Sequence, residues 1–104
     1  MESYKSELEI LRNRIPRRHN LENVKVINTI VDDYEQVLRK VEAIDAQYEK
    51  HTADLFAELD TIRAKIKMST SNKSSKKMKD QFFDEASGAL KDSMEVLLAI
   101  VIKT

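Results

Sequence analysis

The chain has 104 residues, 41% apolar and 35% charged, enough for one domain and too little for a two-domain enzyme. Its 18 basic and 18 acidic groups cancel, so net charge alone selects no partner. A single Gly and a single Pro exclude folds built on tight turns, hairpins or nucleotide-binding loops, and the absence of cysteine excludes disulfides, thiolate metal sites and a Cys nucleophile.

The charge is zoned. Residues 1 to 31 carry six basic and four acidic groups, 32 to 60 three and nine, 61 to 79 seven and none, and 80 to 104 two and five. The start, MESYKSELEI, lacks the apolar stretch of a signal peptide, and the longest apolar run, Val96 to Ile102, is seven residues, against the roughly 20 of a membrane-spanning helix. A soluble, cytoplasmic chain with no membrane partner is the expectation.

Tyr4, Leu8, Leu11 and Ile15 recur on one helical face, with Ser3 as a candidate cap. Pro16 forces Ile15 out of the α region, so the first helix is expected over about 3 to 14. After a connection over 15 to 20, Asn20 is the natural cap of the second.

From Val24 a heptad seam runs through Ile27, Val31, Tyr34, Leu38, Val41, Asp45, Tyr48, Thr52, Leu55, Leu59, Ile62 and Ile66, apolar at eleven of its thirteen positions. No Gly or Pro interrupts it, which predicts one helix over 21 to 68, about 70 Å long at roughly 1.5 Å per residue. Asp45 and Thr52 would then be polar seam positions fixing register, and Lys50 to Ala53 the place for a kink or break. Ile30, Val37 and Ile44 widen the apolar face in the first half of this stretch; His51, Glu58 and Lys65 narrow it in the second.

Ser69 to Ser75 reads as a loop, because small polar side chains compete with helix for the backbone. A last helix over 76 to 103 carries Met78, Phe82, Phe83, Ala86, Leu90, Met94, Leu97 and Val101 on one face and becomes apolar all round at its end.

The fold class expected is all-α: a three-helix antiparallel coiled-coil bundle with one very long central helix, completed by oligomerisation. The side that one copy would leave bare includes Tyr34, Val37, Leu38, Val41, Phe56, Leu97, Leu98, Ile100, Val101 and Ile102, the expected interface of a homodimer or of a complex with a helical protein partner.

No pattern of catalytic, cofactor-binding or metal-ligating residues stands out. His51 has Asp54 and Glu58 at i+3 and i+7 on one helix, which reads as charge support on a surface face and not as a metal site. Two basic clusters, one with Arg14, Arg17 and Arg18 and one with Lys73, Lys76, Lys77 and Lys79, are candidate phosphate contacts, expected at opposite ends of the central helix. Neither has aromatic residues for base stacking, so nucleic-acid binding there would ignore sequence.

The string RNRIPRRHN, in which Arg14 precedes His19 by five positions and Arg12 by seven, resembles the Arg/His motif of the HEPN family of small helical ribonucleases. The resemblance covers only these residues and implies Arg as phosphate ligand and His19 as general acid or base; unlike the family's motif, it lies in the first connection of the chain. The leading expectation is a non-enzymatic helical oligomerisation or adaptor protein. Non-specific phosphate or nucleic-acid binding is the alternative, and a HEPN-like ribonuclease a remote one.

Overall fold

The computed structural model describes residues 2–102, with side chains over 3–101. Four helices follow one another: α1 (Glu2–Arg14), α2 (Leu21–Glu42), α3 (Ala46–Met68) and α4 (Lys76–Ile102). The side chain of Ile102 and the expected last helical residue, Lys103, lie outside the described residues.

α1 stops at Arg14, two residues ahead of Pro16. Asn20 caps α2, its side chain accepting from the Asn23 N–H at 2.7 Å, and Ser75 caps α4, its Oγ accepting from the Met78 N–H at 3.2 Å.

The central helix is the main correction to the sequence reading. Instead of running unbroken over 21 to 68 it divides at 43 to 45, and Lys50 to Ala53, the candidate kink, is helical. Asp45 has an extended backbone (φ −163°, ψ 152°), and its carboxylate accepts from the Gln47 N–H at 3.1 Å, so it is the N-cap of α3 and not a seam residue. On the other side of the break, the Ala43 N–H donates to the Arg39 carbonyl and the Ile44 N–H to that of Val41, both at 3.1 Å, closing the last turn of α2. The molecule is therefore 44 × 22 × 17 Å and has no 70 Å rod.

The heptad survives the break because both halves line the same core. Val24, Ile27, Val31, Tyr34, Leu38 and Val41 are buried from α2, and Tyr48, Leu55, Leu59, Ile62 and Ile66 from α3. Thr52, the other polar seam position, is buried with its hydroxyl donating to the Tyr48 carbonyl at 2.8 Å. Across the core the Tyr34 hydroxyl meets Ser93 Oγ at 2.7 Å, joining α2 to α4. Burial pushes the Tyr34 phenol far above its ordinary range and Glu58 adds to the rise, while the Ser93 bond opposes it; the group stays protonated.

α2 and α4 run parallel, and α1 and α3 antiparallel to both: Arg12 meets Glu95, Lys65 meets Glu85, and Arg63 meets Asp32 and Glu35. The fourth side of the core is covered within the chain. α1 closes it where α2 and α4 approach the α2–α3 turn. Beyond Arg14 the connection 15–20 takes over, with Ser87 Oγ donating to the Pro16 carbonyl at 3.1 Å and His19 tilted against Phe83 at 5.2 Å.

The residues expected to await a second copy are placed accordingly. Tyr34, Val37, Leu38, Val41, Leu97, Leu98 and Val101 are buried in the chain's own core, and Ile100 and Phe56 are half-buried against it. Folding the long helix into a hairpin supplies the fourth helix the sequence reading sought from a partner. Phe56 is capped by the Arg39 guanidinium, 5.7 Å from its ring centre. Among the described residues no helix is long and apolar enough to cross a membrane.

Candidate functional site at the basic end of the bundle

Splitting the central helix also relocates its charges. The two basic clusters were expected at opposite ends of a rod; the hairpin returns the end of α3 to the level where α2 begins, and the two connections share one end. His19 from the first connection donates through Nδ1 to Asp80, in the second turn of α4, at 2.8 Å, and Arg17 and Arg18 share an open cleft with His19, Asp80, Gln81 and Asp84.

Arg14 is the exception among the predicted residues. It closes α1 near the middle of the bundle's length, close to Arg12, whose guanidinium reaches Glu95 at 4.0 Å.

Seven cations remain around this end: Arg17, Arg18, Lys67, Lys73, Lys76, Lys77 and Lys79. Among the described residues none of them has a carboxylate within ion-pair distance. Lys5, Arg14, Lys25, Lys40, Lys50 and Lys91 are likewise without an ion pair among the described residues, so what sets this end apart is the clustering of its cations; paired groups occur along the body of the bundle. Arg63 takes Asp32 and Glu35 at 2.8 Å each, Lys65 takes Glu85 at 3.2 Å, and Arg39 takes Glu35 at 3.0 Å. Those bonds hold Glu35 below the usual carboxylate range, Arg63 first and Arg39 second, and raise Arg63 through Asp32 first. The acids nearest the basic end are few: Glu22 and Asp84 are exposed, and Asp80 is engaged by His19.

The loop 69–75 gives this end its shape. Ser69 and Ser74 are buried, the Ser69 hydroxyl donates to the Ile66 carbonyl and that of Thr70 to Lys67 at 2.9 Å, so the small polar residues consume their own hydrogen bonds and leave the lysines outside. Lys76, Lys77 and Lys79 sit on the first turn of α4, where the positive end of the helix dipole adds to their charge.

A second, larger cleft of about 820 Å³ lies between α4 and the end of α1 with its following connection, lined by Arg12, Arg17 and Lys91 against Asp84 and Glu95. It includes Gly88, the chain's only glycine, in mid-helix with open space where a side chain would begin: nothing lies within 4 Å of the place a Cβ would take. Neither the sequence pattern nor the composition flagged this residue; its exposed position was readable only once α4's core face was known.

His51 lies on α3 toward the opposite end, exposed, and the described residues hold no cluster of three or more potential metal ligands. Of the pair carrying the HEPN-like string, His19 is engaged by Asp80 and stacked near Phe83 while Arg14 stands at the end of another helix, exposed. No family model, curated protein or solved structure matches the chain.

Proposed function

We propose that the protein is a non-enzymatic binding module whose main contact surface is the basic end, where it grips a polyanion through phosphate-type contacts. The observation that supports this is the convergence of two connections, distant in sequence, on one end with seven cations lacking carboxylate partners among the described residues. Natural surfaces intersperse both signs, and this chain does so elsewhere.

Retention of the full chain on heparin, falling steeply as salt rises, is the expected result, because each phosphate-like contact releases a counterion. The quadruple variant Lys73→Glu, Lys76→Glu, Lys77→Glu, Lys79→Glu loses that retention while keeping its helical circular dichroism. Retention unchanged in this variant removes the reading.

A second reading, a helical adaptor that assembles as a homodimer, draws on the outward face of α4. Glycine inside a helix costs about 1 kcal/mol relative to alanine, and at Gly88 no intramolecular contact calls for it, whereas a helix crossing at close range would. Asp84 and Lys91 flank it at −4 and +3, both without an ion pair among the described residues, so an antiparallel crossing of two α4 helices at Gly88 sets each Asp84 against the other copy's Lys91. The opposite diagonal holds Asp92 and Glu85, the latter already engaged by Lys65. In a chain with no cysteine, Gly88→Cys gives a disulfide-linked dimer in air if the crossing exists, and no more than an exposed control such as Ala57→Cys if it does not.

A further inference from the structure

The basic end also gathers exposed apolar side chains. Of six large exposed hydrophobic residues in the described chain, three belong to this end: Leu21, 82% exposed at the first position of α2; Met68, 41% exposed at the last position of α3; and Met78, 47% exposed in the first turn of α4. Each stands where a helix begins or ends, beside Arg18, Lys67 and Lys77 respectively or one turn away in sequence.

A single-stranded nucleic acid is held by stacking its bases on rings, which these aliphatic side chains lack, and a duplex takes up Leu or Met only as wedges between base steps where it is kinked. Base stacking needs exposed aromatic rings, and here Phe83 is buried and Phe82 half-buried. A bilayer surface with anionic headgroups uses both features at once: lysines and arginines meet the negative surface potential, and flexible apolar side chains between them enter the headgroup boundary.

We infer that the basic end docks on an anionic lipid bilayer, with Leu21, Met68 and Met78 inserting among headgroups held by Arg17, Arg18, Lys67, Lys73, Lys76, Lys77 and Lys79. The bundle lies on the surface end-first and does not span it, in keeping with the absence of a spanning helix among the described residues. The inference rests on the polyanion reading and adds the partner to it. It departs from the expectation that the protein has no membrane partner.

The loop order supports end-on contact. Both connections are short: 15–20 is pinned to α4 by Ser87 to the Pro16 carbonyl at 3.1 Å and by His19 to Asp80 at 2.8 Å, and 69–75 is held to the end of α3 by the Ser69 hydroxyl on the Ile66 carbonyl and the Thr70 hydroxyl on that of Lys67 at 2.9 Å. The cations and apolar side chains therefore approach a surface with little ordering left to do on binding.

The test is co-sedimentation of the full chain with vesicles of phosphatidylcholine alone and of phosphatidylcholine with phosphatidylserine at physiological salt, with heparin retention run alongside. The expected result is binding to the serine-containing vesicles only. The triple variant Leu21→Ser, Met68→Ser, Met78→Ser weakens vesicle binding about tenfold and leaves heparin retention unchanged, because it removes insertion and no charge. The quadruple Lys→Glu variant weakens both by more than about a hundredfold. The chain has no tryptophan, so Met78→Trp is a single reporter whose emission shifts to the blue on anionic vesicles if the side chain inserts. Vesicle binding untouched in the triple variant, or an unshifted Met78→Trp spectrum, overturns the insertion. Heparin or DNA binding without vesicle binding overturns the lipid partner and leaves the polyanion reading standing; loss of all three ends both.

Discussion

At one end of the bundle α2 passes into α3 through three residues, Ala43 to Asp45: the Ala43 and Ile44 N–H groups close the last turn of α2, and the Asp45 carboxylate caps α3. At the other, two connections of six and seven residues, 15–20 and 69–75, share one end, where Arg17, Arg18 and Lys73 within them stand with Lys67, Lys76, Lys77 and Lys79 on the adjoining helix turns. The first end is bordered by Glu42, Asp45 and Glu49 with Lys50 among them, a mixed surface of ordinary kind. The difference is one of length and charge: the three-residue capped turn reverses the chain with Ile44 as its one large apolar side chain left exposed, whereas the serine loop bonds to its own backbone and sets its lysines outside, which is what the proposed contact at the broad end needs.

Reversing charge separately at the two ends tests this most strongly. Four lysines changed to glutamate at the basic end are expected to abolish heparin retention. Glu42→Lys with Glu49→Lys at the other end is expected to change it by no more than about twofold, because the ends are separated by most of the bundle's 44 Å length and the screening length at physiological salt is about 8 Å. Equal effects at both ends would mean that net charge, and not a defined surface, governs binding.

The caps give a smaller contrast. Asp45→Ala removes the only side-chain bond to the α3 N-terminus that the turn provides, Asp45 to Gln47, and is expected to cost about 1 kcal/mol in urea denaturation. Asn20→Ala loses the Asn23 bond and costs a similar amount, but the other end has additional ties, Asn23 to the Arg18 carbonyl at 2.7 Å and His19 to Asp80, so hydrogen exchange at the start of α2 should rise less than at the start of α3. The reverse order of exchange would show that the tight turn is the better held end.

Much of this architecture was legible in the sequence. The all-helical bundle follows from the heptad seam, the stop at Arg14 from Pro16, and the loop 69–75 from its serines. What misled was Asp45. On a heptad count it is a seam residue, yet aspartate is as good a helix cap as it is a poor seam residue, and a cap starts a new helix without disturbing the spacing of the next: Val41 and Tyr48 keep their seven-residue step on either side of the break. One misplaced cap then carried two further errors, since an unbroken rod leaves its core half covered and puts the two basic clusters far apart. Arg17, Arg18, Lys73, Lys76, Lys77 and Lys79 were identifiable from their sequence; that they share an end was not, because it depends on that turn. Leu21 and Met68 carried no signal until the core faces of their helices were known, and Met78, expected on the inner face of the last helix, is 47% exposed because it precedes the level at which α4 meets the core.

Between the two ends, α2 and α3 are stapled by Arg63, which bonds Asp32 and Glu35 at 2.8 Å, while Arg39 bonds the same Glu35 at 3.0 Å. The staple supplies the smallest effect. Because Arg63 and then Arg39 hold the Glu35 carboxyl below its ordinary range, the folded state binds that proton less readily than the unfolded chain. Its contribution is therefore complete above the ordinary carboxylate range and is lost as pH falls through the lowered folded value. The pair is partly exposed, so the whole of it is expected to be no more than about 1 kcal/mol. Glu35→Gln should lower stability by that amount at pH 7 and by progressively less toward pH 3, so that the variant and the parent converge in acid. A gap that stays constant with pH would assign Glu35's role to packing at the α2–α3 contact instead of to charge.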